Sequence, residues 1–270
     1  MLRFCANLST LFTDRPLLQR FAAAREAGFK AVELQFPYAE SPDDIARALQ
    51  DNQLTLQLHN LPPGDWAAGD RGTACDPRRT DDFRAGLEQA ITYAKALGVP
   101  RLHAMTGLWP SGIPREQAHA TLVANLRHAA ERTAREDLVL MLEPLNARDV
   151  PGYSIASINE ALVLFSAVGA SHLKLQYDLY HAQRTQGELI GTLRALLPRI
   201  GHIQIADNPG RGEPGTGEVN WRVVFDAIES SGYGGWVGLE YFPFDKGPRG
   251  TETGLRWLGA HGRRPDGGRL

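Results

Sequence analysis

Two cysteines, Cys5 and Cys75, stand far apart in a chain of 270 residues. So few, at such a distance, exclude a disulfide framework and a four-cysteine zinc site. Net charge is also nearly missing, since 29 Lys and Arg against 31 Asp and Glu leave −2. No general electrostatic pull toward nucleic acid or an anionic membrane follows from that balance. No apolar run approaches the roughly 20 residues a membrane helix needs. No charged, apolar and small-residue leader pattern precedes the first strand-like segment, RFCANLS. A soluble cytoplasmic protein with no nucleic-acid and no membrane partner is expected. A glycine-rich phosphate loop is absent too, because the first strand is followed by NLSTLFTDRP. No linker, repeat or low-complexity stretch divides the chain.

What is present is a steady alternation of strand-like and helix-like segments. RFCANLS, KAVELQF, LTLQLHN, PRLHAMTG, LVLMLEP, LKLQYDLYH, IGHIQIAD and GGWVGLEYF each precede a stretch with apolar residues at helical spacing. Ser41 and Pro42 have the chemistry of a helix start, an N-cap and a first-turn proline. Eight such pairs predict a single-domain α/β protein of the (β/α)8 TIM-barrel class over residues 1–260. Residues 261–270, basic and rich in glycine, are expected to form a disordered tail. In a barrel all strand-to-helix loops share one face, where active sites sit. The long loops 60–79 and 106–114 therefore become candidate lids, with Trp66 and Trp109 as apolar covers.

The strands end in oxygen donors. Side chains alternate along a strand, so faces can be assigned. Glu143 shares a face with Met141, Asp178 with Gln176, Gln204 with His202, and Glu240 with Gly238. Leu142, Tyr177, Ile205 and Leu239 take the opposite face, as residues packed under outer helices would. Three ionised carboxylates and an amide converging on one mouth would repel unless a cation lay between them. Without thiolate or imidazole, the set Glu143, Asp178, Gln204 and Glu240 suits Mg²⁺ or Mn²⁺. By the same parity Asn7, Glu33, Gln57, His59 and His103 point inward. His202, low on its strand, reads as a core histidine, and the same reading serves for His59 and His103. His59 and His181, at strand ends, fit substrate contact as well as a core role. Arg211, a cation in the glycine-rich seventh loop, fits a clamp for a substrate carboxylate or a solvated side chain. Glu33 fits an orienting group or a buried ion pair.

The runs ANLSTLFTDRP, VELQFPY, LEPLNARDVPGY, LQYDLYHAQ, HIQIADNPGRGEPGTGEVNW and GLEYFP resemble the hydroxypyruvate isomerase family. That family belongs to the xylose isomerase-like TIM barrels, together with ketose 3-epimerases and 2-oxo-tetronate isomerases. The resemblance covers nearly the whole chain except the tail, and is weakest in GDWAAGDRGTACDPRRT and GLWPSGIP. It implies one divalent metal held by Glu143, Asp178, Gln204 and Glu240, with Glu143 and Glu240 also acting as proton donor and acceptor. It implies a small hydroxy-oxo acid or sugar as substrate, and the interconversion of hydroxypyruvate and 2-hydroxy-3-oxopropanoate. Such an isomerisation removes a proton beside a carbonyl through an enediolate, which two carboxylates and a metal can serve. Strands five and eight lie three steps apart in an eight-strand ring, so the two glutamates are expected to face each other.

Four other readings stand beside this one. A 2-oxo-tetronate isomerase would differ only in pocket depth. A ketose 3-epimerase tends to carry a histidine where this chain has Gln204. An apurinic-site endonuclease would need further His and Asp ligands and a basic groove. A metal-binding barrel without catalysis is the non-enzyme alternative. The sequence does not say which metal is bound, which glutamate is the base, or whether the chain forms a homo-oligomer.

Overall fold

The computed structural model describes residues 1–268. Its strands are β1 (Arg3–Asn7), β2 (Ala31–Glu33), β3 (Thr55–Leu56), β4 (His59–Asn60), β5 (Arg101–His103), β6 (Val139–Leu142), β7 (Leu173–Asp178), β8 (Ile200–Ile205) and β9 (Trp236–Leu239). The helices begin with α1 (Leu17–Glu26), α2 (Pro42–Asp51), α3 (Thr80–Leu97), α4 (Arg115–Ala134) and α5 (Ile158–Val168). They continue with α6 (Leu179–Thr185), α7 (Leu189–Leu196), α8 (Trp221–Ser230), α9 (Gly250–Gly254) and α10 (Trp257–Ala260).

Local chemistry sets many of these boundaries. Ser41 caps α2 by accepting a 3.1 Å bond from the Asp44 amide, with Pro42 in the first turn. Ser157 and Glu160 form a reciprocal capping box at the start of α5. Helix α3 stops at Gly98, whose φ of 64° suits a residue without Cβ.

Contacts within the chain cluster into two compact units, the first made of Met1–Gln57 and the chain from Tyr177 onward, the second of Leu58–Gln176. In the first unit the parallel order is β3, β2, β1, β9, β8. Asn7 lies beside Glu33 in this register, and Gly238 lies between Cys5 and Gln204. Phe4, Phe225 and Trp257 pack as an aromatic cluster on this unit, with centroids 5.4 to 5.9 Å apart. In the second unit β4, β5, β6 and the start of β7 are paired in parallel. Strands β6 and β8 are buried over nearly every residue, as parallel strands covered on both faces should be.

Four expectations are corrected here. The single third strand LTLQLHN is two short strands, because Thr55–Leu56 pairs with β2 whereas His59–Asn60 pairs with β5. A helix, α6, follows β7 at once, started by the Asp178 carboxylate accepting from the Tyr180 amide at 2.8 Å. The last helix is split into α9 and α10, in a stretch where Gly254, Gly259 and Gly262 weaken helical continuity. The tail expected to be loose from residue 261 is tied down as far as Gly268. Phe4 donates its amide to the Pro265 carbonyl at 2.9 Å, and Arg263 pairs with Glu229 at 3.1 Å. Residues 269–270 lie outside the described residues.

Candidate active site

In the first unit, three of the expected oxygen donors are buried. Asp178 ends β7, Gln204 sits on β8 and Glu240 follows β9, with exposures of 3%, 1% and 4%. Glu240 accepts from Gln35 Nε2 at 2.7 Å and from Asn7 Nδ2 at 3.1 Å through one oxygen. Its other oxygen accepts from Arg211 Nη2 at 2.9 Å, and the same nitrogen lies 3.5 Å from Asp178 Oδ2. One guanidinium thus serves two buried carboxylates. His181 Nε2 lies 3.7 Å from Asp178 Oδ2, on the first turn of α6.

Burial raises the pKa of Asp178 above its ordinary 3.8; the Arg211 charge opposes the rise and Glu240 adds to it. Glu240 is raised for the same reason, with Arg211 again opposing and Glu33 adding. Glu33 behaves oppositely. Burial would raise it, but the neighbouring His202 and hydrogen bonds from His202, Gln204 and Asn7 outweigh that, and its pKa is lowered.

The loop that delivers Arg211 is organised by Asp207. Its carboxylate accepts from Gly215 N at 2.8 Å, Trp221 Nε1 at 2.9 Å and Val219 N at 3.2 Å. Arg211 itself has a φ of 53°, and its guanidinium lies 5.1 Å from the Tyr180 ring centroid. Sequence parity gave no hint of Asp207, which falls on the outward face with Ile205. Gln35 was also missed, although it shares the parity of Glu33 and could have been found that way.

The second unit carries Glu143, just past β6 and 4% exposed. Its Oε2 accepts from Gln176 Nε2 at 2.9 Å and lies 3.8 Å from His103 Nδ1. His59 is fully buried, with Nδ1 3.1 Å from the Asn60 carbonyl. Burial pushes the His59 imidazole down to about 4 and the His103 imidazole down to about 3, so both are neutral at ordinary pH. The two long loops of this unit hold each other. Gly72 bridges to Thr106, Cys75 N donates to the Thr106 carbonyl at 3.0 Å, and Thr106 N donates to the Tyr153 hydroxyl at 2.9 Å. The Arg71 guanidinium lies 3.8 Å over the Trp66 ring, and that of Arg115 lies 4.0 Å over Trp109. Of the expected site residues, then, Asp178, Gln204, Glu240, His181 and Arg211 belong to the first unit. Glu143 and His59 belong to the second.

Comparison with known proteins places the chain. Residues 21–261 match the model of the family described as Xylose isomerase-like TIM barrel. The hydroxypyruvate isomerase of Escherichia coli (strain K12) is 50% identical over 258 residues, covering 96% of this chain and 98% of that protein. A 2-oxo-tetronate isomerase of Cupriavidus necator is 42% identical, again covering 96% and 98%. A crystal structure from Brucella melitensis, described as an AP endonuclease of family 2, superposes with a TM-score of 0.91 at 44% identity, covering 97% of this chain and 99% of that one. The strand-and-helix alternation, the buried strands ending in oxygen donors and the full-length match lead to one conclusion: the chain belongs to the xylose isomerase-like TIM barrel family.

Proposed function

We propose that this chain is an isomerase that interconverts hydroxypyruvate and 2-hydroxy-3-oxopropanoate, with Glu143 and Glu240 transferring the proton. Asp178 and Glu240, two buried carboxylates that share the Arg211 guanidinium, carry the reading. A relative named hydroxypyruvate isomerase, 50% identical, supports it. One divalent cation, Mg²⁺ or Mn²⁺, would be held by Glu143, Asp178, Gln204 and Glu240. The donors fit such an ion: they are hard oxygens, and the carboxyls of Asp178 and Glu240 are raised by burial, a condition a cation relieves. When bound, the metal supplies charge that stabilises an enediolate.

The chain's own residues do the rest. One glutamate takes the proton from C3 of hydroxypyruvate, and the other delivers a proton to C2. The hydroxyl proton on O3 passes to O2, with His59 or His181 as the shuttle. Both imidazoles are buried, and His59 is neutral, as a group that must both accept and donate needs to be. Arg211 binds the substrate carboxylate, exchanging a protein carboxylate for that of the ligand. A longer 2-oxo acid is the second reading, favoured by the relative named 2-oxo-tetronate isomerase. The Brucella protein is described as an AP endonuclease, but a net charge of −2 gives this chain no general electrostatic bias toward nucleic acid.

Proton NMR in heavy water tests the proposal, with hydroxypyruvate and Mg²⁺ or Mn²⁺. Metal-dependent deuterium entry with formation of the aldehyde is expected. Exchange without aldehyde would move the substrate to a 2-oxo-tetronate. No exchange with any of these compounds would sink the proton-transfer reading.

A further inference from the structure

Beneath Gln204 lies a carboxylate that the proposed chemistry does not use. Glu33 ends β2 with no exposed surface. Its Oε1 receives Gln204 Nε2 at 2.8 Å and Asn7 Nδ2 at 3.0 Å. Its Oε2 receives His202 Nε2 at 2.6 Å and Cys5 Sγ at 3.5 Å. Each oxygen thus has two donors, which is all an ionised carboxylate can accept. Cys5, Glu33 and His202 are near enough to one another for a shared metal ion. The protons already lying between them leave Glu33 no free lone pair for one, so this cluster is a hydrogen-bond hub.

The hub has a directional consequence. A carboxylate only accepts, so the Gln204 amide can meet it only through its NH₂ end. The amide oxygen of Gln204 is then the end turned from Glu33. Asn7 is fixed by the same logic. Its NH₂ group has two hydrogens, one bound to Glu33 and one to Glu240, while its oxygen accepts from the Ser9 amide at 2.9 Å. Glu33 is therefore linked to two of the proposed ligands, to Gln204 directly and to Glu240 through Asn7. Room for this arrangement comes from Gly238. A Cβ there would lie 2.5 Å from Glu33 Oε2 and 2.8 Å from Gln204 Cγ.

We infer that Glu33 is a positioning residue that holds Gln204 with its amide oxygen, and not its nitrogen, presented as the ligand to a divalent cation. The inference rests on the metal reading proposed above and adds the residue that makes a glutamine usable as a ligand. A glutamine free to turn would also populate the orientation with its NH₂ end toward the cation, which cannot ligate. The commitment of the nitrogen to Glu33 removes that state.

The test measures Mn²⁺ affinity by electron paramagnetic resonance of the free ion, with thermal melting of each metal-free variant beside it. Glu33→Gln should weaken Mn²⁺ binding about 10–100-fold, the loss typical of a partner that orients a ligand. The exchange Glu33→Gln with Gln204→Glu restores a carboxylate–amide pair and places a ligand whose two ends are both oxygens. It should return the affinity to within a few-fold of wild type, which a role for Glu33 in folding alone would not produce. Wild-type affinity in Glu33→Gln, or an exchange variant as weak as the single one, overturns the inference. Should the single variant not fold, the wild-type protein gives the answer by NMR. On adding Mg²⁺ the Gln204 carbonyl carbon should shift while its NH₂ protons stay protected from exchange. Loss of that protection would show the amide turning and would overturn the inference. Failure of the wild type to bind either metal refutes the metal reading itself, an outcome distinct from all of these.

Discussion

Burial disfavours the charged form in both units, and at the expected site residues it meets acids in the first and imidazoles in the second. In the first, it works on acids: Asp178 and Glu240 are raised, and side-chain bonds from Arg211, Gln35 and Asn7 gather around them. In the second, it works on imidazoles: His59 and His103 are pushed down to about 4 and about 3. In the first unit burial opposes the carboxylate charge and Arg211 works against that rise; in the second it keeps two imidazoles neutral. One environment, a dry strand end, thus raises carboxylates that a guanidinium partly steadies and lowers imidazoles.

The hardest test of this contrast is Glu240→Gln. It keeps the shape but removes both the proposed proton-transferring group and half of the Arg211 pairing. Deuterium exchange into hydroxypyruvate should fall by about 10²–10⁴-fold, the range of general acid–base contributions. A loss under tenfold would mean that the charged cluster is structural. Asp178→Asn comes next, read by melting of the metal-free protein across pH. Below about pH 4 Asp178 is neutral in both folded and unfolded chains. As pH rises, the unfolded chain releases the proton first, because the folded pKa is raised, so the folded state loses stability. Removing the group should therefore raise the melting temperature near pH 8 by several degrees and change it little near pH 4. A uniform shift at both pH values would break the account. Gly238→Ala should follow at about 1–3 kcal/mol in denaturant unfolding, since a methyl there crowds Glu33 and Gln204.

Those tests fall unevenly on what the sequence could reveal. Parity on single strands found Asp178, Gln204 and Glu240 as buried donors, because alternation is a local property of the chain. Parity also put Asn7, Glu33 and His202 inward. It could not show that the first two and Gln204 are one network, because their bonds join residues 26 to 171 positions apart. Arg211 illustrates the limit. Its residue type suggested a clamp, but its partners depend on a loop closed by Asp207, and nothing periodic marks that aspartate. The start of α2 was legible because Ser41, Pro42 and Asp44 are neighbours. The break in the third strand was not, because it arises from pairing with two different strands far off in sequence.

The smallest effect sharpens the contrast most, because its sign is opposite. Well above pH 6.5, near pH 8, a histidine is neutral both folded and unfolded, and costs almost nothing on this account. As pH falls, the unfolded chain takes up the proton first, because the folded pKa of His103 is only about 3. The folded state loses stability in acid, by about 1 kcal/mol at pH 6 for one such group. His103→Leu should flatten the decline of melting temperature between pH 8 and pH 6, whatever it does to the absolute value. Asp178→Asn should steepen the same decline, because it removes a group that favours the folded state as pH falls. Imidazole resonances give the direct check: His59 and His103 should hold constant shifts from pH 8 to pH 6. If either moves through a midpoint near 6.5, burial does not keep it neutral, and the second unit loses the property that sets it apart from the first.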